Sequence, residues 1–538
     1  MSGPITVKST PISVMVLTVL FLGATSALRA DSGKSASSQR DQKILQVQQL
    51  IEDHNLAEAR RLISTAIKQF PRDPGFDNLL GVIAAQEGKY EEAESSFDRA
   101  VKREPKFTGA YLNLGRLYQE NSGADRQAGQ KALQVYAHVL AYDPENSEAN
   151  YQSALLLLQQ NAYRNSLRYL DRLPAEIQTR SQALAIACAD YSALGDRTRS
   201  DGAAARLSSA ADFSELDMRQ MLVPLQAGKR DDLMVSLLQN LNTRQALSVE
   251  MRHTLGLAYE RTHQLAEARA ALEHAVTRET LSVALLLDLA RVAYEQHDFQ
   301  GSLGYLAHAQ DLEPKNASLY YYFGFVCVDL NLIAEARNAF EKAVKLDPKN
   351  PNYNYAMGAA SAFRHDPAEA VPYFQKYLKL RPQDPRGKLA LGAALFRAKD
   401  YDAADPWLRE AVKTPPTAST AHYYLGCIAI QEGRLDEAHS ELEEALKGNA
   451  KYADAWAELG QYHLVQKDYG EAGKDIRQAL EINPDHYAAN FYLLNLYTRT
   501  RDPQREAQAR RFEELKKLLD EKTREFLRIV EVRPFEEP

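Results

Sequence analysis

The protein has 538 residues, of which 45% are hydrophobic and 25% are charged, and its formal net charge is −7 at pH 7. Because single hydrophobic cores stop growing beyond about 250–300 residues, this length predicts several domains or a linear array, and the composition argues against disorder. Basic residues are mixed with acidic ones along the chain, so no nucleic-acid-binding surface is expected. The three cysteines lie far apart without a CxxC motif, which argues against a disulfide framework or a thiolate zinc site.

The N-terminus has the layout of a secretory signal. Lys8 precedes an apolar run over residues 12–27, and small and then polar residues follow. A basic start, a short apolar segment and small residues near a cleavage site are typical of a signal peptide. We therefore expect residues 1–30 to be a cleaved signal peptide. A retained membrane anchor is the alternative, since positive charge just after the run resists translocation. Residues 31–39 are predicted to be a polar linker.

The rest of the chain repeats itself. EARNAFEKAVKLDP at residues 335–348 matches EAESSFDRAVKREP at residues 92–105, with Ala, Phe, Ala and Pro in the same places. Prolines recur at a regular step of about 34 residues or multiples of that step. The exception is one longer step, between Pro105 and Pro144, which places an insertion near residues 121–126. The recurring prolines are Pro71, Pro105, Pro144, Pro314, Pro348, Pro382, Pro416 and Pro484.

Other positions keep the same phase and predict a helix–turn–helix unit. In each unit a small residue comes first, and an alanine, a bulky apolar residue, a second alanine and the proline follow at fixed distances. Small residues allow two helices to approach closely, the bulky one is expected to fill the space between one hairpin and the next, and proline cannot continue a helix interior. In one unit these residues are Gly324, Ala336, Phe340, Ala343 and Pro348.

This periodic pattern resembles the tetratricopeptide repeat (TPR). The resemblance covers roughly residues 40–528 and implies an all-α fold, a right-handed superhelix (an α-solenoid) of about 14 helix–turn–helix units. Three units lack the proline and keep the phase weakly, and a long last helix is expected to cap the array. The implied segments are N-terminal TPR units (40–146), degenerate TPR-like units (147–248), regular TPR units (249–504), a C-terminal capping helix (505–530) and a tail (531–538).

Three histidines fall at the turn between the two helices of a unit, where sister units carry Gly88 or Gly433. Such a turn needs a positive φ angle, which His and Asn tolerate better than most residues, so these histidines are interpreted as turn residues. They are His263, His297 and His365, and Asn331 occupies the same position. No HExxH, phosphate-binding loop or GxSxG motif is present, so the sequence predicts no metal site, no cofactor and no enzyme activity.

In TPR proteins the first helix of each unit lines the concave side of the superhelix. Repeat positions 5, 9 and 12 form one stripe of that helix, and here the stripe is aromatic and weakly charged. Aromatic residues are favoured at partner-binding surfaces. TPR units in general often carry tyrosine at positions 5 and 12, so part of this stripe is a habit of the family. The partner-binding residues predicted on or beside the stripe are Tyr321, Tyr322, Phe325, Tyr355, Phe363, Phe396, Tyr423, Tyr424, Phe491 and Tyr492.

Some TPR proteins clamp acidic C-terminal peptides with a constellation of Lys, Asn and Arg, which this chain does not match. The comparable positions hold His253, Leu257, Leu287 and Arg291.

The predicted function is an exported, non-catalytic scaffold in the periplasm or cell envelope of a bacterium. It is expected to bind protein or peptide partners through its concave groove, and to contact a membrane only if the N-terminal segment is uncleaved. One alternative is a carbohydrate-binding or polysaccharide-export helper, because aromatic side chains also stack on sugars. Another is an accessory subunit of a membrane-anchored envelope assembly.

Overall fold

The computed structural model describes residues 33–120, 127–362 and 367–518, and in these ranges every regular element is helical. The predicted all-α, TPR-type fold is confirmed. The signal peptide, the insertion near residues 121–126 and the tail lie outside the described residues. No described helix is long and apolar enough to cross a bilayer.

The chain divides into two compact units, with residues up to Ala275 in one and residues from Val276 onward in the other. The first unit contains α1 (Gly33–Glu52), α2 (Leu56–Gln69), α3 (Pro74–Gln86), α4 (Tyr90–Arg103), α5 (Thr108–Glu120), α6 (Ala128–Tyr142), α7 (Ser147–Gln159), α8 (Tyr163–Leu170), α9 (Ala175–Gln178), α10 (Ser181–Ala193), α11 (Arg197–Ser209), α12 (Glu215–Ala227), α13 (Asp231–Arg244), α14 (Val249–Arg261) and α15 (Leu265–Ala275).

The second unit continues the series of helices. It contains α16 (Val283–Glu295), α17 (Phe299–Leu312), α18 (Ala317–Asp329), α19 (Ile333–Leu346), α20 (Pro351–Ala362), α21 (Val371–Leu380), α22 (Pro385–Arg397), α23 (Tyr401–Val412), α24 (Pro415–Gln431), α25 (Leu435–Gly448), α26 (Ala453–Gln466), α27 (Tyr469–Ile482), α28 (Tyr487–Thr500) and α29 (Arg505–Leu518). A short 3-10 turn at Pro367–Ala370 precedes α21.

The two helices of a hairpin cross where the glycine of the first meets the bulky residue of the second. A Cβ atom added to Gly324 would lie 2.5 Å from the ring of Phe340, and one added to Gly81 would lie 2.5 Å from the ring of Phe97. Both rings are fully buried, or nearly so. The glycine is therefore required for the close approach, as the repeat pattern predicts.

The turns within hairpins have the positive φ angles that the sequence predicts. His263 and His297 have φ values of 57° and 60°, and Asn331 has 60°. Gly88 and Gly433 have φ values of 74° at the same repeat position. The interpretation of these histidines as turn residues is confirmed, while His365 lies outside the described residues.

A side chain on the first helix often holds the turn that precedes it. The buried Asn354 donates to the carbonyl oxygens of Pro348 at 3.2 Å and Asn350 at 2.7 Å. Asn150 and Asn490 repeat this arrangement in their own hairpins. These buried amides therefore tie the proline turn to the helix that follows it.

The hairpins are least regular between α7 and α13. Helix α8 has only eight residues and is followed by Pro174 and the four-residue helix α9. Helix α10 packs against both α11 and α12, so two first helices meet directly. A Cβ atom at Gly228, just after α12, would lie 2.2 Å from the carbonyl oxygen of Ser192 on α10. The backbones of these two segments therefore approach each other closely.

The C-terminal end of the described chain is covered by α29, which packs on α28. Leu515 is buried, and the ring of Phe512 lies 5.4 Å from that of Phe491 and 4.9 Å from that of Tyr487, measured between centroids. The description of this helix ends at Leu518, so the rest of the predicted capping helix (505–530) lies outside it. At the other end, α1 begins at Gly33, within the segment expected to be a linker.

Candidate partner-binding surface

Five of the ten predicted partner-binding residues are buried. The prediction that these five side chains line an open groove is wrong, because they are hardly exposed to solvent. The buried side chains are Tyr321 (1% exposed), Tyr355 (4%), Tyr322 (8%), Tyr424 (8%) and Phe325 (9%).

The reason is that these rings pack within and between hairpins. The ring centroid of Tyr321 lies 4.7 Å from that of Phe325 and 5.0 Å from that of Tyr353, which belongs to the next hairpin. The ring centroid of Tyr355 lies 4.9 Å from that of Tyr377 on the second helix of the same hairpin. Burial raises the pKa of both the Tyr321 and Tyr355 phenols above the ordinary value. These tyrosines are core residues by packing.

The other predicted residues differ in their exposure. Phe396, Tyr423 and Tyr492 are partly exposed, and Phe491 is 41% exposed. They lie on α22, α24 and α28, which are first helices of their hairpins. Phe363 lies outside the described residues. Partner binding by the four accessible aromatic residues stays a prediction.

Two carboxylates join these aromatic residues in the last hairpins, and we call the group the carboxylate–tyrosine cluster. Asp454 and Glu458 lie on α26, one turn apart. The Tyr492 hydroxyl on α28 lies within hydrogen-bond distance of two acceptors, Glu458 Oε1 at 2.9 Å and Gln461 Oε1 at 2.5 Å. The ring of Tyr423 on α24 lies 5.1 Å from that of Tyr452, measured between centroids. The cluster consists of Tyr423, Tyr452, Asp454, Glu458 and Tyr492.

The Glu458 carboxylate of the cluster is largely removed from solvent, which disfavours its charged form. Burial raises the pKa of Glu458 to about 7, with a further increase from the charge of Asp454, while the hydrogen bond from Tyr492 lowers it. Burial likewise raises the pKa of Tyr423, and the charges of Glu458 and Asp454 add to that effect. The charges of Glu458 and Asp454 therefore act on the tyrosines of the cluster.

Asp454 is paired with a histidine. The Nδ1 atom of His486 accepts the backbone N–H of Ala489 at 3.1 Å, so the ring hydrogen lies on Nε2. That N–H is donated to Asp454 Oδ1 at 3.0 Å. Among the residues that the structure describes, neither Asp454 nor Glu458 forms an ion pair with a lysine or an arginine.

Sequence reasoning did not identify Tyr452, Asp454 or Glu458. The stripe used for prediction contains repeat positions 5, 9 and 12, whereas Asp454 and Glu458 stand at positions 2 and 6 and Tyr452 precedes the helix. The available signal was two acidic residues four apart on one first helix, which places both on the same face.

A second group of titratable residues lies on α25, α26 and α27. It borders a cavity of about 490 Å³ lined by His439, His463, Trp456 and Asp475, among others. His463 Nδ1 lies 2.8 Å from Asp475 Oδ2. Nowhere in the described ranges are three or more His, Cys, Asp or Glu residues arranged to hold a metal ion.

The family of the protein follows from sequence models of the tetratricopeptide repeat. They match residues 45–107, 84–134, 293–360, 355–419 and 423–486, slightly more than half of the chain. The chain belongs to the tetratricopeptide repeat family. The matched residues of this TPR protein include the carboxylates of the cluster, Asp454 and Glu458, within 423–486.

Among curated proteins, this TPR protein is similar to the rhomboid protease GluP of Bacillus subtilis. The two are 33% identical over 88 residues, which are 16% of this chain and 17% of the protease. The likeness is therefore confined to about a sixth of that relative's length.

Several solved structures also resemble this chain. The TPR protein YrrB, whose structure is described as having an unusual peptide-binding site, is 24% identical, with coverage of 34% of this chain and 95% of YrrB and a TM-score of 0.29. A TPR protein from Parabacteroides merdae is 17% identical, with coverage of 46% and 98% and a TM-score of 0.39. Naa15/Naa10 bound to HypK-THB shows 13% identity, coverage of 89% and 95% and a TM-score of 0.37.

Proposed function

We propose that this TPR protein is an exported, non-catalytic scaffold that binds a protein or peptide partner on the first helices α22, α24, α26 and α28. The observation that carries the proposal is the accessible aromatic surface there, formed by Phe396, Tyr423, Phe491 and Tyr492 beside the two carboxylates. Partly exposed aromatic residues with a polar edge are typical of protein interfaces.

The family supports the role of an interaction scaffold, because TPR repeats serve protein–protein interaction. The absence of catalytic sequence motifs supports a non-catalytic role. Export is supported by the basic start, the apolar run over 12–27 and the small residues that follow it. The periplasm or cell envelope of a bacterium is therefore the proposed location.

Site-specific photo-cross-linking tests the proposed surface. The photoreactive residue p-benzoylphenylalanine replaces Tyr423 in one variant and Glu341, on the second helix α19, in another, and both are expressed in the native host. We expect protein adducts at position 423 and none at position 341. The same adducts at both positions, or adducts at 341 alone, would place the partner surface elsewhere.

Affinity measurements with the cross-linked partner then quantify the contribution of the surface. Phe396→Ala combined with Tyr423→Ala should weaken binding by about 2 kcal/mol or more per anchor residue. The control Glu341→Ala with Lys345→Ala removes an exposed ion pair of 2.8 Å and should change binding by about 0–1 kcal/mol. Equal helicity of both variants in circular dichroism separates loss of binding from loss of fold. Binding to a glycan array without protein adducts would favour the carbohydrate alternative.

A further inference from the structure

The carboxylate–tyrosine cluster contains two carboxylates, neither of which is paired with a lysine or an arginine among the described residues. Within the described ranges, Glu458 is bound by the Tyr492 hydroxyl at 2.9 Å and forms no ion pair with Lys or Arg. Asp454 lies one turn away, has a side chain that is 46% exposed and lies 3.0 Å from His486 Nε2. Two carboxylates with partial access to solvent and no paired Lys or Arg favour a negative local potential.

Three tyrosines, Tyr423, Tyr452 and Tyr492, belong to the same cluster as these carboxylates. The Tyr423 ring lies 5.1 Å from both Tyr424 and Tyr452, and Tyr492 reaches Glu458 from the next first helix. Aromatic faces attract cations, and more strongly where water is partly excluded. The rings and the carboxylates therefore both favour a cationic ligand group.

The rings of the cluster present their faces at several angles. Tyr423 is inclined by 61° to Tyr424 and by 47° to Tyr452. A guanidinium or ammonium group can be enclosed by rings at several angles. An acidic peptide is disfavoured because the two carboxylates would repel it.

We propose that the carboxylate–tyrosine cluster receives a lysine or arginine side chain of an extended peptide, so that the partner of this surface is a basic segment of a protein. The proposal rests on the scaffold function stated above and names the chemistry of the partner. It is the reverse of the clamp for acidic peptide ends, whose residues this chain lacks. Charge complementarity of this kind selects partners as much as it adds affinity.

A cation in the cluster should also make binding depend on pH. Glu458 binds a proton near neutrality in the free protein, and a lysine or arginine would displace it, so binding should tighten as the pH rises. The groups that face Glu458 are Asp454 on its own helix, Tyr423 and Cys427 on α24, Tyr452 before α26, and His486 and Tyr492 on or before α28.

Peptide pools provide the test. The probes are fluorescein-labelled nonapeptides with blocked ends, random except for a central residue fixed as Lys, Arg, Glu or Ala. Binding to the full-length protein is measured by fluorescence anisotropy. The test variant is Glu458→Gln, which removes the charge and keeps an oxygen to accept from Tyr492. The matched control is Glu341→Gln, an exposed glutamate on α19 whose replacement changes the net charge equally.

We expect the wild-type protein to bind the Lys and Arg pools about tenfold or more tightly than the Ala pool. Glu458→Gln should abolish this preference, and Glu341→Gln should keep it. The wild-type preference should also weaken at pH 5.5 relative to pH 8, a comparison that does not depend on the folding of any variant.

Two results would overturn the proposal. If the pools bind but show no preference for Lys or Arg, or if Glu458→Gln keeps the preference, the cluster is not a cation site and the scaffold function still stands. If no pool binds at all, both the proposed peptide-binding function and this inference fail.

Discussion

Asp190 occupies a position on α10 that sister units fill with apolar residues such as Leu156, Val292 and Val326. Its side chain is fully buried, and neither carboxyl oxygen has a hydrogen-bond partner at normal distance. Burial raises the pKa of Asp190 to about 8, with an opposing contribution from the nearby Ser166 hydroxyl. The folded protein therefore holds Asp190 protonated at neutral pH, whereas an unfolded aspartate has a pKa of about 3.9.

This raised pKa predicts a local loss of stability as the pH increases. Between about pH 4 and pH 8 the folded state binds one more proton at Asp190 than the unfolded state. The local free energy of unfolding should therefore fall by up to about 1.4 kcal/mol per pH unit in this range and level off above it. Hydrogen exchange of α10, followed by mass spectrometry and corrected for intrinsic rates, measures the effect.

Asp190→Val should remove this pH dependence and strengthen protection at pH 8, because valine fits an apolar position of this kind. The control Asp171→Asn changes an exposed aspartate at the end of α8 and should keep the wild-type profile. An unchanged pH profile in Asp190→Val would show that another group titrates.

Hairpin stability depends on the contact between the glycine of the first helix and the ring of the second. At Gly358 on α20 an added Cβ would lie 2.9 Å from the ring of Phe374 on α21. Gly358→Leu should therefore destabilise this hairpin by on the order of 1–3 kcal/mol or more, since the larger side chain overpacks the crossing. Denaturant unfolding and hydrogen exchange of α20 and α21 measure the loss.

A matched control is available on α17, where a Cβ added to Gly304 would meet no atom within 4 Å. Gly304→Leu should leave stability equal or slightly higher, because leucine favours helix more than glycine. Combining Gly358→Leu with Phe374→Ala should recover part of the lost stability if the ring is the obstacle. Equal losses at the two glycines would mean that helix propensity or solubility, and not the crossing, governs the result.

At the scale of the whole molecule, the testable feature is export. A signal peptide over residues 1–30 predicts that the mature protein begins near residue 28 or 31 and is found outside the cytoplasm. N-terminal sequencing of protein purified from the native host measures the start directly. A retained anchor would instead leave residues 1–27 on protein in the membrane fraction. Their presence on protein in the cytoplasmic fraction would contradict export in either form.

The fold could be predicted from the sequence because its determinants are local and periodic. The glycine and the bulky residue of one hairpin lie close together in the sequence, as Gly324 and Phe340 do, and the turn residues His263 and His297 need only their own backbone geometry. Each unit packs mainly on its neighbours, so a pattern that recurs in every unit specifies the contacts many times over.

The exposure of individual aromatic residues was decided only by tertiary packing. Tyr321 and Tyr423 share repeat position 5, yet Tyr321 is 1% exposed because Phe325 and Tyr353 enclose it, while Tyr423 stays partly exposed. Repeat position gives the direction of a side chain, but the size of the residues on the next hairpin decides whether water reaches it.

The sequence by itself determined the repeat, the hairpins, their turns and the TPR family of this protein, because these follow from periodic local choices. Only the tertiary structure brought Tyr423, Asp454, Glu458 and Tyr492 together from three helices and showed that Glu458 forms no ion pair with Lys or Arg among the described residues. It also showed that Asp190 is buried without a hydrogen bond. The physical reason is that desolvation and charge pairing depend on neighbours distant in sequence, which a short repeating pattern does not specify.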